Sequence, residues 1–226
     1  SRLLAVSRYL ADVALEAGAD PKRLSVHYQG VDTHWWTPAP TTAESREEPV
    51  VLFVGALSCL KGVDDLARAS ATLAGRRPHR LVLVGDGPLE AGLRAHAPAH
   101  VTFAGQLDRE GVRDWMRSAH VLVLPTKPTQ GRQEAAGLVL LEAQACGVPV
   151  IAYSTGGTPE MVAPGASLLT AERSPNALVR SIDEALAWSE DERADRAAAC
   201  RAWVTRERSL RGATRQLRAI YDDVTR

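Results

Sequence analysis

Glu134-Ala-Ala-Gly-Leu-Val-Leu-Leu-Glu142 continues directly into Ala143-Gln-Ala-Cys-Gly-Val-Pro-Val-Ile-Ala152, and this segment is the most informative part of the chain. Gly147 and Pro149 are residue types that end helices, and they separate two apolar runs. The segment therefore predicts a loop, a helix, a turn and a buried strand, in that order. Gly137 begins the predicted helix, and the second glutamate lies about one turn beyond it.

The two carboxylates of this segment, Glu134 and Glu142, bracket the start of the predicted helix. A helix N-terminus has unpaired backbone N–H groups and a partial positive charge, so it can bind a phosphate. Carboxylates on either side would accept hydroxyls from the two ends of a sugar–diphosphate–nucleoside, which predicts a donor site. The alternative is structural: Glu134 would complement the helix dipole, and Glu142 would face water.

Composition and charge exclude several classes of protein. The 226 residues include 27 basic and 27 acidic side chains, so the formal charge is zero, which argues against a nucleic-acid binder. No apolar run approaches the roughly 18 residues that a membrane span needs, and we find no signal peptide. Cys59, Cys146 and Cys200 are predicted to be buried or half-buried in a reducing compartment, so a cytoplasmic location is expected.

Short apolar runs alternate with helical patterns along the chain. Uninterrupted apolar runs separated by helices are typical of a parallel sheet that is covered on both faces. We therefore predict an α/β fold, a Rossmann-like parallel sheet of about six strands with helices on both faces and a helical C-terminus. Strands are predicted at 24–28, 50–54, 81–84, 101–104, 121–124 and 150–153, and helices at 8–17, 63–74, 88–96, 109–118, 138–146, 176–188, 190–204 and 208–224.

The segment 37–49 is rich in Pro, Thr and charged residues, which is typical of a linker or surface loop. It separates residues 1–36, which are too few to form a core of their own, from the main α/β domain. Because the chain begins with Ser1 rather than Met, we expect it to be a piece of a longer protein. Residues 1–36 are then the end of a domain whose beginning is missing.

Five motifs follow one another along nearly the whole chain, and their order and spacing are specific. They are Val6-Ser-Arg-Tyr-Leu10 with Gly30-Val-Asp32, Phe53-Val-Gly-Ala-Leu-Ser-Cys-Leu-Lys-Gly62, Val84-Gly-Asp-Gly-Pro-Leu89, the segment Glu134 to Glu142, and Gly156-Gly-Thr-Pro-Glu160. Together they resemble the C-terminal half of the retaining glycosyltransferases of family 4 (glycosyltransferase group 1), which have the GT-B fold. The resemblance implies a donor-binding half of a GT-B architecture.

The resemblance also implies a division of the chain. Residues 1–36 would be the remnant of the N-terminal domain with its exit segment, and 37–49 the linker. Residues 50–206 would form the domain that binds the nucleotide-sugar donor. The helix within 207–226 would cross back to the N-terminal domain.

The resemblance implies catalytic roles for Glu134 and Lys61. Glu134 would hydrogen-bond hydroxyls of the transferred sugar, and Lys61 would lie against the donor diphosphate as a point charge. A solvated lysine at the start of a helix is the alternative for Lys61. Further donor-binding positions would be the backbone N–H groups of Gly137, Leu138 and Val139 for the distal phosphate, Glu142 for the ribose and Gly55 at a strand end. The segment 105–107, with Gln106 and Leu107, would receive the edge of the base, mostly through its backbone.

One position departs from the family pattern. An Arg usually follows the first loop glycine and neutralises the diphosphate together with the Lys, but here that residue is Ala56. Stabilising the charge of a leaving diphosphate is worth several kcal/mol, so the loss of the Arg predicts weak activity or a substitute cation. Lys127 and Arg132 in the loop 125–133 are the candidates for that substitute cation.

The segment 105–107 also has a structural alternative. It would then form only a plain turn and would not bind the base.

The activity implied is transfer of a sugar from a nucleotide sugar to an acceptor hydroxyl with retention of anomeric configuration. Glu134 would position the sugar rather than attack it. No metal or other cofactor is expected, and the adjacent acidic pairs Asp64-Asp65 and Asp222-Asp223 are predicted to be solvated.

The acceptor site and a His near the reacting centre would belong to the missing N-terminal domain. None of the six histidines here lies in a matching context, so the isolated chain is expected to be inactive or nearly so. Peripheral membrane contact would also come through that domain. The alternative is a non-catalytic nucleotide-binding or regulatory module that pairs with a separate acceptor-binding chain.

Overall fold

The structure, a computed structural model, describes residues 2–39, 48–171 and 173–224, so most of the predicted linker 37–49 lies outside the described residues. The strands in these ranges are β1 Leu3–Ala5, β2 Leu24–Val26, β3 Val50–Val54, β4 Arg80–Val84, β5 Val101–Gly105, β6 Val121–Leu124, β7 Val150–Tyr153 and β8 Leu168–Thr170. The helices are α1 Arg8–Glu16, α2 Val63–Ala74, α3 Glu90–Ala95, α4 Arg109–Ser118, α5 Leu138–Ala145, α6 Pro175–Ala187, α7 Glu190–Glu207 and α8 Leu210–Val224, with a short 3₁₀ helix at Thr158–Met161.

Six strands form one parallel sheet in the order β5-β4-β3-β6-β7-β8. The chain runs from β3 outward to β5 and then returns to the other side of β3 with β6. A topological switch point therefore lies between β3 and β6, where Val51 pairs with Val121 and Leu52 with Leu122. Ligands of open α/β sheets bind outside the carboxyl ends of the strands at such a point.

The core lies around the central strands β3, β6 and β7. Their residues are apolar in sequence, apart from the hydroxyl of Tyr153, and nearly all are fully buried. Helix α2 packs against α6, and α5 packs against α7. A strand whose two faces are both covered has no solvent face to alternate with, which explains the uninterrupted apolar runs. The predicted α/β fold with six parallel strands is confirmed.

The membership of the sheet differs from the prediction at one strand. Residues 24–28 were predicted to be a strand of this sheet, but β2 pairs with β1 in a separate two-stranded parallel sheet. The sixth strand is β8, which pairs with β7 at the sheet edge. Both β1 and β8 have only three residues, and so short a run carries too little apolar pattern to be recognised.

A carboxylate of the 3₁₀ helix is one of the groups that connect the first unit of the chain to the main sheet. Glu160 accepts hydrogen bonds from the backbone N–H of Arg8 at 2.8 Å, from that of Tyr9 at 3.1 Å and from the hydroxyl of Tyr28 at 2.7 Å. Burial alone would raise the pKa of Glu160, but these donors outweigh burial and hold the pKa below its usual value. Ser7 is the N-cap of α1 and accepts from Leu10 N–H at 3.2 Å, so Glu160 adds a second acceptor to this helix start from another part of the fold.

The cysteines follow the prediction only in part. Cys146 and Cys200 are buried, whereas Cys59 is exposed, and all three are free thiols. The prediction was wrong for Cys59 because it lies in the turn between β3 and α2 rather than in an element of the core.

Candidate functional site

A cleft of about 560 Å³ opens at the carboxyl ends of the central strands, next to the N-terminus of α5. Eight of the nine predicted catalytic and donor-binding residues line it. These are Gly55, Lys61, Leu107, Glu134, Gly137, Leu138, Val139 and Glu142, and the remaining wall includes Gln29, Trp36, Arg109 and Val112. Residues from four separate parts of the chain thus meet in one concave surface.

The start of α5 presents its backbone to the cleft. Gly137 is the N-cap residue and has φ +76°, a left-handed conformation that glycine adopts at little cost. A Cβ at this position would lie 3.3 Å from Leu140 Cδ1 and 3.6 Å from Glu134 Cγ. Leu140 N–H donates to the Gly137 carbonyl at 3.0 Å, whereas the N–H groups of Leu138 and Val139 precede the first acceptor of the helix, and both residues line a cleft that can hold an anion.

Lys61 and Glu134 form an ion pair inside the cleft. The side chains are 26% and 13% exposed, respectively, so both charges are partly shielded from solvent. Lys61 follows β3 and Glu134 follows β6, and the switch point between these strands is what brings the two residues together. The two predicted catalytic side chains are therefore in direct contact.

Two glycines of the 3₁₀ region hold the backbone of the Glu134 loop. Gly157 N–H donates to the Glu134 carbonyl at 2.9 Å. A Cβ at Gly156 or Gly157 would overlap the carbonyl oxygens of Glu134 and Ala135. The close approach fixes the height of Glu134 above the sheet, which explains the glycine pair in Gly156-Gly-Thr-Pro-Glu160.

Glu142 lies deeper in the same cleft, one turn into α5. Burial raises the pKa of its carboxyl, while the positive charge of Arg109 acts in the opposite direction. A partly desolvated carboxylate with a cation nearby is a strong acceptor for hydroxyl donors.

The side chains of Gln106 and Leu107, in the segment 105–107, have different surroundings. Leu107 lines the cleft, but the side chain of Gln106 donates to Asp86 at 2.8 Å and is not part of the lining. The structure does not bring the Gln106 side chain together with the other predicted site residues.

The two predicted substitute cations do not line the cleft. Lys127 instead donates to Asp64 and Asp65, each at 2.9 Å, and these bonds raise the pKa of Lys127 although burial lowers it. The prediction that Asp64-Asp65 is a solvated pair was wrong: Asp65 is 4% exposed. This cluster ties the loop 125–133 to α2, and Arg132 is exposed in the same loop.

Sequence reasoning missed Arg109 and Trp36, which also line the cleft. Trp36 is 2% exposed and comes from the segment before the linker. Arg109 is the first residue of α4, next to the N-cap Asp108. A cation in the first turn interacts unfavourably with the helix dipole. This unusual position of a charge in the sequence could have marked Arg109 as a candidate site residue.

Within the described residues, no group of three or more His, Cys, Asp or Glu side chains is arranged to hold a metal ion. In the same ranges, no helix combines the length and the apolar character that crossing a bilayer requires. The site is thus described by its cations, its carboxylates and the N-terminus of α5.

Residues 48–187 match the family described as glycosyl transferases group 1. The chain is 35% identical over 191 residues to D-inositol 3-phosphate glycosyltransferase 2 of Catenulispora acidiphila, covering 72% of this chain and 44% of that protein. It is 36% identical over 190 residues to D-inositol 3-phosphate glycosyltransferase of Kribbella flavida, covering 71% and 43%. The chain spans less than half the length of these curated relatives.

Two solved structures show the likeness of fold. Anabaena Alr3699/HepE in complex with UDP and glucose aligns with a TM-score of 0.85 at 22% identity, over 99% of this chain and 63% of that one. The C-terminal domain of a glycosyl transferase group 1 family protein (LpcC) from Francisella tularensis aligns with a TM-score of 0.67 at 22% identity, over 80% of this chain and 100% of that domain. The predicted likeness to one part of a GT-B architecture is confirmed at the level of the fold.

Proposed function

This chain belongs to the glycosyl transferases group 1 family, and we propose that it binds the nucleotide-sugar donor for transfer of a sugar to an acceptor hydroxyl with retention of configuration. The observation that carries the proposal is one cleft in which Glu134 and Glu142 flank the N-terminus of α5. A sugar–diphosphate–nucleoside has hydroxyls at both ends and negative charge between them. The cleft offers the complementary order of groups.

The diphosphate would bind at the start of α5. Leu138 and Val139 would supply N–H groups from the first turn, and the left-handed Gly137 sets the direction in which this turn begins. Lys61 would turn from Glu134 to the phosphate as the donor enters. The Glu134 carboxylate would then be free to accept hydroxyls of the sugar.

The chemistry needs no covalent intermediate on the protein. The bond between the anomeric carbon and the diphosphate oxygen breaks while the acceptor oxygen bonds to the same face of that carbon. The departing diphosphate takes the acceptor's proton. Lys61 and the α5 N-terminus would stabilise the charge that develops on the leaving group, and Glu134 would hold the sugar in the reactive orientation.

An acceptor-binding domain would complete the enzyme. Of the ten large hydrophobic side chains that are exposed among the described residues, seven lie on β1, α1 or α8. Exposed apolar side chains concentrated on three elements favour an interface at the surface of these elements, and the length of the relatives supports a further domain. We propose that this surface contacts the acceptor domain, that the chain alone transfers little or no sugar, and that the reaction is cytoplasmic.

Calorimetry on the purified chain tests the proposal. UDP, GDP, ADP and their glucose conjugates are titrated into the wild type, into Glu142→Ala and into Glu184→Ala, a control on the exposed surface of α6. We expect one base to be preferred, and the affinity for its nucleotides to fall about 10- to 150-fold in Glu142→Ala, as for the loss of a charged hydrogen bond, and to be unchanged in Glu184→Ala. Wild-type chain that binds none of the six ligands contradicts the donor site, and tight binding without hydrolysis or transfer in the full-length protein favours a regulatory module.

A further inference from the structure

A two-residue β-hairpin turn stands immediately before Glu134 in the chain. Arg132 N–H donates to the Thr129 carbonyl at 2.9 Å, and Thr129 N–H donates back at 3.0 Å. The tip residues Gln130 and Gly131 have φ +51° and +74°, and positive φ at both central positions is the mark of a type I′ turn. Among the described residues, Gln130 is the one residue other than glycine with a positive φ. The loop 125–133 thus ends in a defined hairpin.

Both sides of this hairpin are fixed to the loops of the site. On one side, Lys127 N–H donates to the carbonyl of Leu60 at 2.9 Å, one residue before Lys61. On the other side, the Glu134 carbonyl accepts from Gly157 N–H at 2.9 Å. The hairpin is therefore held in place relative to the ion pair of Lys61 and Glu134.

The residues of the segment 132–142 follow the proposed donor from one end to the other. In the binding mode proposed above, Glu142 lies at the nucleoside end, the start of α5 at the diphosphate and Glu134 at the sugar. Arg132 comes two residues before Glu134, and two residues of extended chain span at most about 7 Å. A side chain as long as that of arginine can cross this distance, so Arg132 can reach the end of the sugar that is farthest from the nucleoside.

The charges at this end of the cleft leave Arg132 uncompensated. Lys61 and Glu134 neutralise each other, and the neighbouring cluster at α2 holds two carboxylates and two cations. Arg132 is exposed, and its side chain has no ion-pair partner within residues 2–39, 48–171 and 173–224. A guanidinium binds a carboxylate through two parallel hydrogen bonds. The free positive charge therefore complements a sugar that carries a carboxylate.

We propose that Arg132 binds a carboxylate of the transferred sugar, so that the donor is a nucleoside diphosphate hexuronate. This inference rests on the proposed function and adds the class of sugar, which the cleft lining alone leaves open. Because the hairpin is formed before the ligand arrives, little backbone freedom is lost on binding. Arg132 thereby determines specificity for the sugar and leaves the diphosphate to Lys61 and α5.

Matched donors separate a contact to the sugar from a contact to the diphosphate. For the base that the chain prefers, calorimetry measures the dissociation constants of the nucleoside diphosphate, its glucose conjugate and its glucuronate conjugate. Glucuronate differs from glucose only by a carboxylate in place of the C6 hydroxymethyl group. The proteins are the wild type, Arg132→Gln, Arg132→Lys and the control Arg215→Gln, an exposed arginine of α8 outside the cleft lining. Thermal unfolding establishes that each variant is folded.

We expect the wild type to bind the glucuronate conjugate about 5- to 20-fold more tightly than the glucose conjugate, between the effects of an exposed ion pair and of a shielded charged hydrogen bond. Arg132→Gln should abolish this preference and change the affinity for the diphosphate less than about twofold. Arg132→Lys should keep part of the preference, because it retains the charge without the planar fork. The preference should shrink in about 1 M salt, and Arg215→Gln should bind as the wild type does.

A second pair of variants tests the hairpin itself. A Cβ at Gly131 would meet no atom within 4 Å, so Gly131→Val disturbs the hairpin only through its φ of +74° and leaves the charge of Arg132 in place. We expect this variant to lose much of the preference for glucuronate and to keep its affinity for the diphosphate. Gln130→Gly, which suits a positive φ, should keep the preference. Full preference in Gly131→Val would show that the hairpin does not position Arg132.

Three other results would overturn the inference. Equal affinity of the wild type for the two conjugates would remove the carboxylate, and a preference that survives in Arg132→Gln would remove Arg132 from its recognition. An equal loss for the diphosphate and the glucuronate conjugate would assign Arg132 to the diphosphate instead. Wild-type chain that binds none of the ligands would contradict the proposed function itself, so the two failures are distinct.

Discussion

Replacing Gly157 with alanine tests how firmly the loop that carries Glu134 is held. Gly157 has φ −82°, which alanine adopts without strain, so any cost arises from space alone. The new Cβ would overlap the Ala135 carbonyl oxygen and lie 2.8 Å from its carbon and 2.9 Å from Ser7 Oγ. Because a backbone group must move, the cost lies near the upper end of the overpacking range, about 3 kcal/mol.

The unfolded state offsets part of that cost. Alanine lowers the conformational entropy of the unfolded chain and thereby stabilises the folded protein by up to about 1 kcal/mol. The net loss in the free energy of unfolding is then about 2 kcal/mol. For a chain of this size the melting temperature should fall by about 4–8 °C. A displaced Ala135 also shifts its neighbour Glu134, so the affinity for UDP-glucose should fall more than that for UDP.

Urea unfolding and thermal scans on two glycine variants provide the assay. Gly92→Ala is the matched control: Gly92 lies in α3 with no atom within 4 Å of an added Cβ. That variant should gain about 0.5–1 kcal/mol, because alanine is the better helix former. If Gly157→Ala is stabilised to the same extent as Gly92→Ala, the close approach to the Glu134 loop does not constrain this chain, and the reasoning fails.

Three further predictions concern the surroundings of the site. Lys127→Met leaves the buried Asp65 without its ammonium partner and should lower the free energy of unfolding by about 1–3 kcal/mol, with unchanged nucleotide affinity by calorimetry. Glu160→Ala removes the acceptor of the Arg8 and Tyr9 N–H groups at the start of α1, where Ser7 still accepts from Leu10, and should cost about 1–2 kcal/mol in urea unfolding. Burial lowers the pKa of His120 to about 4, so the folded protein resists protonation of a group that the unfolded chain protonates below about pH 6.5. The free energy of unfolding should therefore fall as the pH falls from about 6.5 to 4, and His120 should account for about 2 kcal/mol of this loss at pH 5. His120→Gln keeps an acceptor for Val50 N–H and should abolish the part of the pH dependence that is due to His120.

Matched variants at exposed positions control these three measurements. Lys22→Met, Glu16→Ala and His96→Gln make the same chemical changes at exposed side chains, and each should change the free energy of unfolding by less than about 0.5 kcal/mol. If the Lys127→Met protein keeps its stability but loses nucleotide affinity, Lys127 is the predicted substitute cation for the diphosphate. Glu160→Ala with wild-type stability would show that α1 does not depend on the carboxylate. Parallel pH profiles of stability for wild type and His120→Gln would show that His120 does not cause the pH dependence.

Most elements of the fold were predictable because they depend on neighbouring residues. The runs at β3, β6 and β7 are apolar throughout, and Ser174 and Ser189 each cap the helix that follows them. The three-residue strands β1 and β8 escaped detection, since pairing partners rather than their own pattern make them strands. The ion cluster of Lys127 was missed for the same reason, because it joins an ordinary loop residue to carboxylates on a distant helix.

The sequence by itself determined the alternation of strands and helices, the glycine start of α5 and the residue types that flank it. Apolar periodicity and helix capping are local properties, so they can be recognised without a structure. Only the tertiary structure decided that Lys61 meets Glu134, that Gln106 turns toward Asp86 and that Arg109 reaches the cleft. The physical reason is that strand order and side-chain direction depend on contacts between residues far apart in the chain, and no local pattern specifies them.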